Sequence, residues 1–552
     1  MIVTQGKVGD LKYTNNEQIS SSKFYFSKLY ITLGTICVLV LTVLALSIAL
    51  GVISNRRKSD IVHVYTNIEP NKTIPSLVDS INIDQLLTHL KNLQQIAQSS
   101  NGTRMIHLQG FNSTVDYIYS HLTQRTNLVN IQKQHFYVNN FMVDGTPILT
   151  AFVDGKQLNF TYYSNFTHMI YTGQATNWTL LGYSLSIIPN LGCVDNDWLD
   201  ARDRVALVRR GNCTFTEKIR LATKVGVKGF LLYNDGLPSA PSNREILNNT
   251  RASEGTTFPT LFLSYQAGQT LLINPQNTTV FITIKLKDVP PSAVTNICAD
   301  THSGDKTQTI VIGSHSDSVQ AGNGINDNGS GTAANLVLAT NLDKLFQMST
   351  YRPYAYRVRF CWWGGEEFGL LGSKDHVMKA KNNSIVGERL QDYLVNLNFD
   401  MLGSPNFIFG IYNGASANNM TTPARAIPGS IKLTEIFRDY FNRKQYPWDL
   451  TKFDGRSDYG PFLAEGIACS GLTTGADGVK TQEQRDRYAT MLGQQKIGLG
   501  MPNVIYDPCY HKVCDTVQNI HLFAYETIVQ AAAYTIEYLG RLNDLKAYLY
   551  PS

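Results

Sequence analysis

Apolar and polar residues follow two kinds of spacing along the chain from residue 77 onwards. Apolar side chains recur every three or four positions over Ile81–Gln98, which predicts a helix. The same spacing predicts a second helix that ends near Leu122, with Asn112 or Ser113 as its expected N-terminal cap. Looser alternation then predicts two strands, Val129–Val143 and Ile148–Val153.

Three further runs rich in β-branched and aromatic residues predict buried strands, and helical patterns alternate with them. The strands are expected at Thr307–Ile312, Arg357–Trp363 and Tyr393–Phe399. This alternation predicts an α/β fold with a mainly parallel, mixed sheet sandwiched between helices. The predicted helices are Ser330–Leu345, Leu370–Lys381, Ile431–Phe441, Thr481–Leu492 and one long C-terminal helix, Ile520–Tyr548.

Between residues 159 and 287 the pattern changes to a buried strand, a glycine turn, a helix and a second strand, all within Val205–Asn234. Together with Phe258–Ser264 and the pair Ala267–Gly268, this motif resembles the protease-associated (PA) domain. The resemblance implies an inserted, β-rich α/β domain over residues 158–287. It also implies that this domain carries no catalytic group and instead shapes access to a site or recruits substrate. A simple spacer is the alternative.

An apolar segment near the N-terminus adds a membrane anchor. Ile31–Ser54 holds 24 consecutive uncharged positions, enough to cross a bilayer. Because about thirty residues precede this segment, we expect an uncleaved transmembrane signal anchor at 31–54. A cytosolic tail at 1–30 and a stalk at 55–76 would flank it. Secretion after signal cleavage is the alternative.

Glycosylation sequons decide the orientation, because the positive charges on the two sides of the anchor nearly balance. No sequon precedes the anchor, which predicts a type II membrane protein whose body is extracellular or in a lysosomal or vacuolar lumen. The sequons stand at Asn71, Asn101, Asn112, Asn159, Asn165, Asn177, Asn212, Asn248, Asn277, Asn382 and Asn419.

The charge distribution argues against nucleic acid as a partner. The chain of 552 residues has a formal net charge of +5 at pH 7, but most of this excess lies before residue 61. The remaining body is nearly neutral and offers no electrostatic footprint for nucleic acid. Its length allows two or three domains with cores of ordinary size.

Seven cysteines follow the anchor, and an oxidising compartment favours disulfides between them. We expect Cys509 to pair with Cys514, and Cys193 to pair with Cys213. Three cysteines remain, so at least one thiol is expected to be free. Zinc ligation by cysteine is the alternative, but an isolated Cys-x4-Cys is poor zinc spacing.

Acidic residues and histidines cluster directly after the three predicted strands. Ligands gather beyond the carboxyl ends of strands in open α/β sheets, so these side chains are expected to meet. Carboxylates beside apolar runs are costly to bury unpaired, and a dication would remove that cost. A two-zinc hydrolase site is therefore the leading hypothesis. The residues are His315, Asp317, Asp327, Glu366, Glu367 and Asp400, with His511 further along the chain.

Five motifs in this order resemble the two-zinc aminopeptidases of metallopeptidase family 28, of the aminopeptidase Y type. The resemblance spans roughly residues 80–545 and implies a zinc peptidase domain formed by residues 77–157 and 288–552. The motifs are Gly313–Val319, Gly322–Gly331, Trp362–Ser373, Asn398–Pro405 and Tyr506–Asp515.

The resemblance implies a metal role for five residues. Asp327 would bridge two zinc ions. His315 and Asp400 would complete one site, and Glu367 and His511 would complete the other. Imidazole and carboxylate ligands suit zinc, and such sites leave positions open for water and substrate.

The same resemblance assigns the remaining chemistry. Glu366 matches the general base that takes a proton from the attacking water and passes it to the leaving amine. Asp317 matches the acid that orients the His315 ring. Tyr510 resembles the tyrosine that donates to the oxyanion, with a packing aromatic as the alternative. Arg456 is a weaker candidate for binding the substrate carbonyl. Asn328 also stands in a sequon, but inside this motif we expect it buried and unmodified.

Three other functions share parts of this pattern. A glutamate-carboxypeptidase-like exopeptidase shares the anchor, the PA domain and the zinc residues, but the twelve-residue step from His315 to Asp327 resembles the aminopeptidase form. Non-catalytic transferrin-receptor-like proteins lose metal ligands, whereas all five are present here. A cyclotransferase of the same clan uses one metal. The resemblance thus favours a membrane-anchored di-zinc aminopeptidase acting on peptides, and leaves its preferred N-terminal residue and oligomeric state open.

Overall fold

The computed structural model describes most of the chain from residue 75 onwards. The described residues are 75–173, 182–237, 241–247, 250–253, 255–417, 422–453, 455–493 and 500–551, without the side chains of 139–142, 241–242 and 288–289. The predicted tail, the anchor at 31–54 and nearly all of the stalk lie outside them. Within the described ranges, no helix has the length and apolar character needed to cross a membrane.

The strands form two eight-stranded sheets, one for each expected domain. The strands are β1 Val129–Val143, β2 Ile148–Val153, β3 Lys156–Phe160, β4 Phe166–His168, β5 Tyr183–Ile187, β6 Val205–Arg209, β7 Gly229–Tyr233, β8 Thr260–Leu263, β9 Thr278–Thr283, β10 Leu286–Asp300, β11 Asp305–His315, β12 Tyr356–Trp363, β13 Tyr393–Phe399, β14 Gly410–Tyr412, β15 Asp449–Thr451 and β16 Ala468–Thr473. The α-helices are α1 Ile83–Gln98, α2 Gln109–Arg125, α3 Phe215–Val225, α4 Tyr265–Leu271, α5 Gly331–Phe346, α6 Leu371–Lys381, α7 Ala426–Lys444, α8 Tyr459–Ala464, α9 Gln482–Leu492, α10 Leu522–Arg541 and α11 Leu545–Leu549.

The first sheet has a parallel centre and antiparallel margins. Its strand order is β1-β10-β12-β11-β13-β16-β14-β15. Strands β12, β11, β13 and β16 run parallel, whereas β1, β10 and β14 pair antiparallel with their inner neighbours. Every residue of β12 and β13 is buried, as expected for strands covered on both faces. The predicted mixed α/β fold is confirmed.

Alternate residues of β11 enter two separate hydrophobic cores. Ile310 and Ile312 belong to the larger core, which also contains the apolar residues of α5 and α10. Val311 belongs to a smaller core with Trp363 and residues of α6 and α8. Because successive side chains of a strand point to opposite faces, the first sheet lies between two layers of helices.

The second sheet has the order β3-β2-β9-β5-β6-β7-β8-β4. Strands β5 to β8 are parallel, and α3 connects β6 with β7. Strand β2 pairs antiparallel with β9 along its whole length, so it belongs to this sheet. The sequence-based boundary at residue 158 had assigned β2 to the peptidase domain, because alternation predicts a strand but not its partner.

Three predicted helices have clearly different bounds in the structure, and one of them, α7, extends beyond the expected Ile431–Phe441 at both ends. Helix α2 begins at Gln109, earlier than the expected caps, and Leu108 precedes it without a side-chain cap. The single C-terminal helix expected at Ile520–Tyr548 is two helices, α10 and α11. The break follows from Asp544, whose side chain accepts a hydrogen bond from the Ala547 amide and starts α11.

Both predicted disulfides, Cys193–Cys213 and Cys509–Cys514, are confirmed. A third disulfide, Cys298–Cys361, joins residues directly opposite each other on β10 and β12. Strand pairing creates this contact between cysteines 63 positions apart, so the sequence alone did not indicate it. Cys469 is buried and free, which agrees with the expectation of at least one free thiol.

Most described sequon asparagines are accessible. Asn328 is the expected exception, because it is completely buried and its amide donates to the Phe399 carbonyl at 2.9 Å. Asn165 is half-buried. The exposed asparagines are Asn101, Asn112, Asn159, Asn212, Asn277 and Asn382, while Asn71, Asn177, Asn248 and Asn419 lie outside the described residues.

Candidate active site

The predicted ligands converge where the parallel strands end. His315 is the last residue of β11, and Asp400 directly follows β13. Glu366 and Glu367 stand in the turn after β12, where Gly365 adopts a φ of 76° that favours glycine. Because β12, β11 and β13 are adjacent and parallel, their carboxyl ends bring these side chains to one edge of the sheet.

Asp327 lies between two histidines. Its Oδ1 is 3.3 Å from His315 Nε2, and its Oδ2 is 3.0 Å from His511 Nε2. His315 Nε2 is also 3.4 Å from Asp400 Oδ1, and His511 Nε2 is 3.3 Å from Glu367 Oε2. These residues form two groups of three, and within each group the ligand atoms lie within 4.8 Å of one another. Asp327 belongs to both groups, with His315 and Asp400 in one and with Glu367 and His511 in the other.

The state of these atoms fits a metal centre. In the described part of the chain, the buried atoms of the predicted ligands that have no hydrogen-bond partner include Glu367 Oε1, Asp400 Oδ1 and His511 Nε2. Burial lowers the pKa of His315, but Asp400, Asp317 and Asp327 outweigh burial and raise it well above its ordinary value. A cation between these side chains would balance the negative charge of the carboxylates. Imidazole and carboxylate are ligands that suit zinc.

Asp317 connects His315 with the turn after β12. Its Oδ1 lies 3.5 Å from His315 Nδ1. The same carboxylate accepts hydrogen bonds from the backbone amides of Glu366 at 3.1 Å and of Glu367 at 3.3 Å. Asp317 is completely buried. One side chain therefore orients the imidazole and both glutamates, which is the kind of role that its motif predicts.

Glu366 faces the His315 side of the cluster. Its Oε2 is 4.0 Å from His315 Nε2, and 12% of its side chain is exposed. Burial raises the pKa of Glu366 well above its ordinary value; His315 opposes the rise, whereas Glu367 adds to it. A carboxylate with a raised pKa binds a proton more readily than an ordinary glutamate does, which favours a role as general base.

Tyr510 and Arg456 lie near the other metal group. The Tyr510 ring stacks on His511, with the ring centroids 3.9 Å apart. Burial and the charge of Asp327 raise the pKa of Tyr510 well above its ordinary value, so its hydroxyl remains a donor, and Arg456 opposes this rise. Arg456 is exposed. Tyr510 therefore contacts a predicted ligand directly, whereas the link of Arg456 to the cluster is its charge effect on Tyr510.

The residue that follows Arg456 is hydrogen-bonded to Asp400. The Ser457 hydroxyl donates to Asp400 Oδ2 at 2.6 Å and accepts from the Asn398 amide at 2.8 Å. Asp458 accepts from the Ser373 hydroxyl at 2.6 Å, and burial raises its pKa to about 7. Arg456 was predicted as a site residue and Ser457 was not, although Ser457 stands directly beside it in the same motif.

Two acids near the Cys509–Cys514 disulfide hold the Asp327 segment. Asp515 accepts from the backbone amides of Asn326 at 2.7 Å and of Asp327 at 3.1 Å. Asp507 accepts from the Asn326 side chain at 2.6 Å. Both acids are buried, and neither was assigned a role from the sequence. Their positions in the sequence could have indicated this role, because Asp515 directly follows Cys514 and Asp507 lies two residues before Cys509.

Arg104 is a buried cation beneath the site. Its guanidinium donates to the backbone carbonyls of Ser316, Asn323 and Gly324, which flank the segments carrying His315 and Asp327. Burial lowers the pKa of Arg104 to about 10, and the negative charge of Asp317 opposes this shift. No predicted motif contains Arg104, so the sequence offered no indication of its role.

Comparisons with known proteins match two parts of the chain. Residues 296–536 match the family described as Peptidase family M28, and residues 180–271 match the PA domain. A probable leucine aminopeptidase 2 of Aspergillus fumigatus is 34% identical over 68% of this chain and 71% of its own length. An aminopeptidase of Pseudomonas aeruginosa is 30% identical over 86% of each chain.

Solved structures share the fold. An aminopeptidase from Aneurinibacillus sp. strain AM-1 superposes with a TM-score of 0.58 at 20% identity, over 84% of this chain and 95% of that one. A zinc aminopeptidase from Bacillus subtilis gives a TM-score of 0.54 at 20% identity, over 85% and 96% of the two chains. At such identities the similarity concerns the fold alone.

Proposed function

The chain belongs to peptidase family M28, and from this membership we propose that it is a membrane-anchored, two-zinc aminopeptidase that removes N-terminal residues from peptides. The observation that carries the proposal is Asp327, which directs one carboxylate oxygen at His315 and the other at His511. A carboxylate shared by two ligand groups suits a pair of metal ions more than one.

Five side chains would hold the two ions. Asp327 would contact both, His315 and Asp400 would complete one site, and Glu367 and His511 would complete the other. Bound zinc would supply Lewis acidity and would lower the pKa of water at the site. Asp317 and Asp515 hold two of these ligands in place, because they accept hydrogen bonds from the backbone amides of Glu367 and Asp327.

Glu366 moves the proton in the proposed reaction. Its carboxylate takes a proton from the attacking water and delivers it to the nitrogen of the leaving amine. Tyr510 donates a hydrogen bond to the oxygen of the scissile carbonyl as negative charge develops there. Arg456 lies on the side of Tyr510 and would bind a substrate carbonyl. These roles agree with the raised pKa of Glu366 and the retained hydroxyl proton of Tyr510.

The acidic character of the site favours a substrate with a free N-terminal ammonium group. The site carries several carboxylates that can attract this ammonium group, namely those of Asp400, Glu366 and Glu367. The chain also retains all five ligand positions, which disfavours a non-catalytic transferrin-receptor-like protein. A glutamate-carboxypeptidase-like activity stays the alternative, and substrate blocking separates the two.

We propose that the protein is a type II membrane protein. The uncharged segment 31–54 would anchor the chain, and the exposed sequon asparagines would carry glycans on an extracellular or lumenal body. Peptides are the expected partners and nucleic acid is not. Secretion after signal cleavage is the alternative, which an intact N-terminus on the membrane-bound protein would exclude.

The test uses the full-length chain on pairs of aminoacyl amides and their N-acetylated counterparts. Cleavage of the free-amine members alone, abolished by a chelator and restored by zinc, is the expected result. Cleavage of N-blocked acidic peptides alone would instead indicate the carboxypeptidase. Zinc-loaded protein that cleaves no peptide of either kind would overturn the proposed peptidase function.

A further inference from the structure

The inserted domain reaches the active site through Arg251. This residue lies in the segment 250–253 and forms a β-bridge with Ile170 of the same domain. Its Nη2 donates to the backbone carbonyl of Glu366 at 3.0 Å. A Cβ atom on Gly369 would lie only 2.8 Å from Arg251 Nη1, so the guanidinium lies directly against the turn that carries the general base.

Arg251 forms no direct ion pair with the residues that the structure describes, although the carboxylates of Glu366, Glu367 and Asp317 attract its charge from further away. Among the described residues, no acidic oxygen lies within 4.0 Å of its guanidinium, and its buried Nε has no hydrogen-bond partner. The side chain is half-buried, so part of its surface is accessible to solvent. Arginine presents a fork of donors that matches a carboxylate, and this fork is largely unused here.

A second cation stands beside Arg251. Lys374 lies in the first turn of α6, is exposed, and forms no ion pair with any described residue. The charge of Arg251 repels that of Lys374, whereas Glu366 and Asp458 attract it. The two cations repel each other, and nearby carboxylates such as Glu366 offset this repulsion only from a distance, since neither cation forms a direct ion pair within the described ranges. Their position beside Glu366 makes a substrate anion the natural occupant.

We propose that Arg251 of the inserted domain, with Lys374, binds the C-terminal carboxylate of short peptide substrates and so sets a preference for dipeptides and tripeptides. The proposal rests on the aminopeptidase function proposed above. In a dipeptide, the free carboxylate stands one residue from the scissile bond, and Arg251 touches the residue that moves the proton of that bond. The PA domain would then take part in substrate selection through a named side chain.

A simpler role is that Arg251 only holds the Glu366 turn in place. The two roles differ in their dependence on substrate. A positioning role alters the cleavage of every substrate equally, whereas a carboxylate contact acts only on substrates that carry the carboxylate.

The experiment compares kcat/KM for a dipeptide with kcat/KM for the same dipeptide as its C-terminal amide. In Arg251→Gln, we expect the acid-to-amide ratio to fall about ten- to a hundredfold, because a hydrogen bond to a charged group is lost. Arg251→Lys should give an intermediate ratio, and Lys374→Gln a smaller fall. The control is Arg220→Gln, which removes an exposed arginine paired with Glu217 elsewhere on the same domain and should leave the ratio unchanged.

Zinc content and thermal stability of each variant are measured alongside the ratio. An unchanged ratio in both Arg251→Gln and Lys374→Gln would overturn the proposal, and so would equal losses on acid and amide. If Arg251→Gln does not fold, Lys374→Gln alone decides. Wild-type protein that cleaves neither peptide would contradict the aminopeptidase function itself, which is a different result from a ratio that does not change.

Discussion

Asp515 accepts a hydrogen bond from the backbone amide of Asp327 at 3.1 Å. Its other oxygen accepts from the Asn326 amide at 2.7 Å. An acid that follows the Cys509–Cys514 disulfide thus fixes the backbone of the residue that faces both histidines. The ligand geometry therefore depends on a contact between segments 188 positions apart.

Asp515→Asn should weaken zinc binding. An amide side chain keeps one acceptor oxygen, so one of the two backbone amides loses its partner and Asp327 shifts. Loss of a residue that orients a metal ligand typically lowers affinity about 10- to 100-fold. Competition with a coloured chelator measures this change. Asp486→Asn, at an exposed position on α9, is the matched control. Unchanged zinc affinity in Asp515→Asn would show that this hydrogen bond does not govern the site.

Glu366→Gln should keep its zinc and lose turnover. Glutamine preserves the shape of the side chain but cannot accept the proton of the attacking water. General base catalysis contributes roughly 10²- to 10⁴-fold, and kcat should fall by that factor. Elemental analysis and steady-state kinetics on one free-amine substrate test both halves of the prediction. The exposed Glu483→Gln serves as control, and wild-type turnover in Glu366→Gln would refute the role of Glu366.

Arg104→Met should destabilise the protein and its metal centre together. The apolar side chain fills the volume but leaves the carbonyls of Ser316, Asn323 and Gly324 without a donor. Each buried polar group left unsatisfied costs about 1–3 kcal/mol, so the loss of all three donors should lower the free energy of unfolding by roughly 3–9 kcal/mol.

Chemical denaturation of the zinc-loaded protein measures this loss. Arg125→Met, at an exposed site on α2, controls for the removal of one positive charge. Arg104→Lys should restore part of the stability because it retains a donor and the charge. Equal stability of Arg104→Met and wild type would mean that the three carbonyls find other partners.

His376 should make the fold sensitive to acid. Burial, reinforced by the charges of Arg359 and Lys379, lowers its pKa to about 3. In the unfolded chain His376 has its ordinary pKa near 6.5, so between pH 6.5 and 3 it is protonated when unfolded but neutral when folded. The free energy of unfolding is therefore unaffected by His376 above pH 6.5. It falls as the pH drops from 6.5 towards 3, by up to about 1.4 kcal/mol per pH unit.

His376→Phe should remove this dependence, because a phenylalanine ring does not titrate. The ring would pack among Trp363, Tyr393 and Phe462, but Gln134 would lose its hydrogen bond with Nδ1, a cost that is the same at both pH values. The measurement is the difference in unfolding free energy between variant and wild type at pH 7 and pH 5. Taking the difference cancels the contribution of the metal ligands. A difference that does not change with pH would contradict the buried neutral state of His376.

The sequence predicted those parts of the site that depend on local pattern. His315 and Asp400 were found because each ends a run of buried strand residues, and parallel strands bring their carboxyl ends together. The glutamate pair was found for the same reason. A strand end therefore predicts both the position and the neighbours of a ligand.

The parts that were missed depend on contacts between distant segments. Cys298 and Cys361 meet only because β10 pairs with β12. Asp515 and Arg104 act through hydrogen bonds to backbone groups, and such partners have no residue pattern of their own. Strand β2 was predicted as a strand but placed in the wrong sheet for the same reason, since alternation does not specify a pairing partner.

The most direct test of the two-metal account is a zinc count. Metal-free, full-length protein is titrated with zinc, freed of loosely bound metal, and analysed for the ratio of zinc to chain, with activity followed in parallel. The account predicts two zinc ions per wild-type chain, and about one in His315→Ala and in His511→Ala, because each substitution removes a ligand from one group only. A wild-type ratio of one, with full activity at the first equivalent, would contradict a site shared through Asp327.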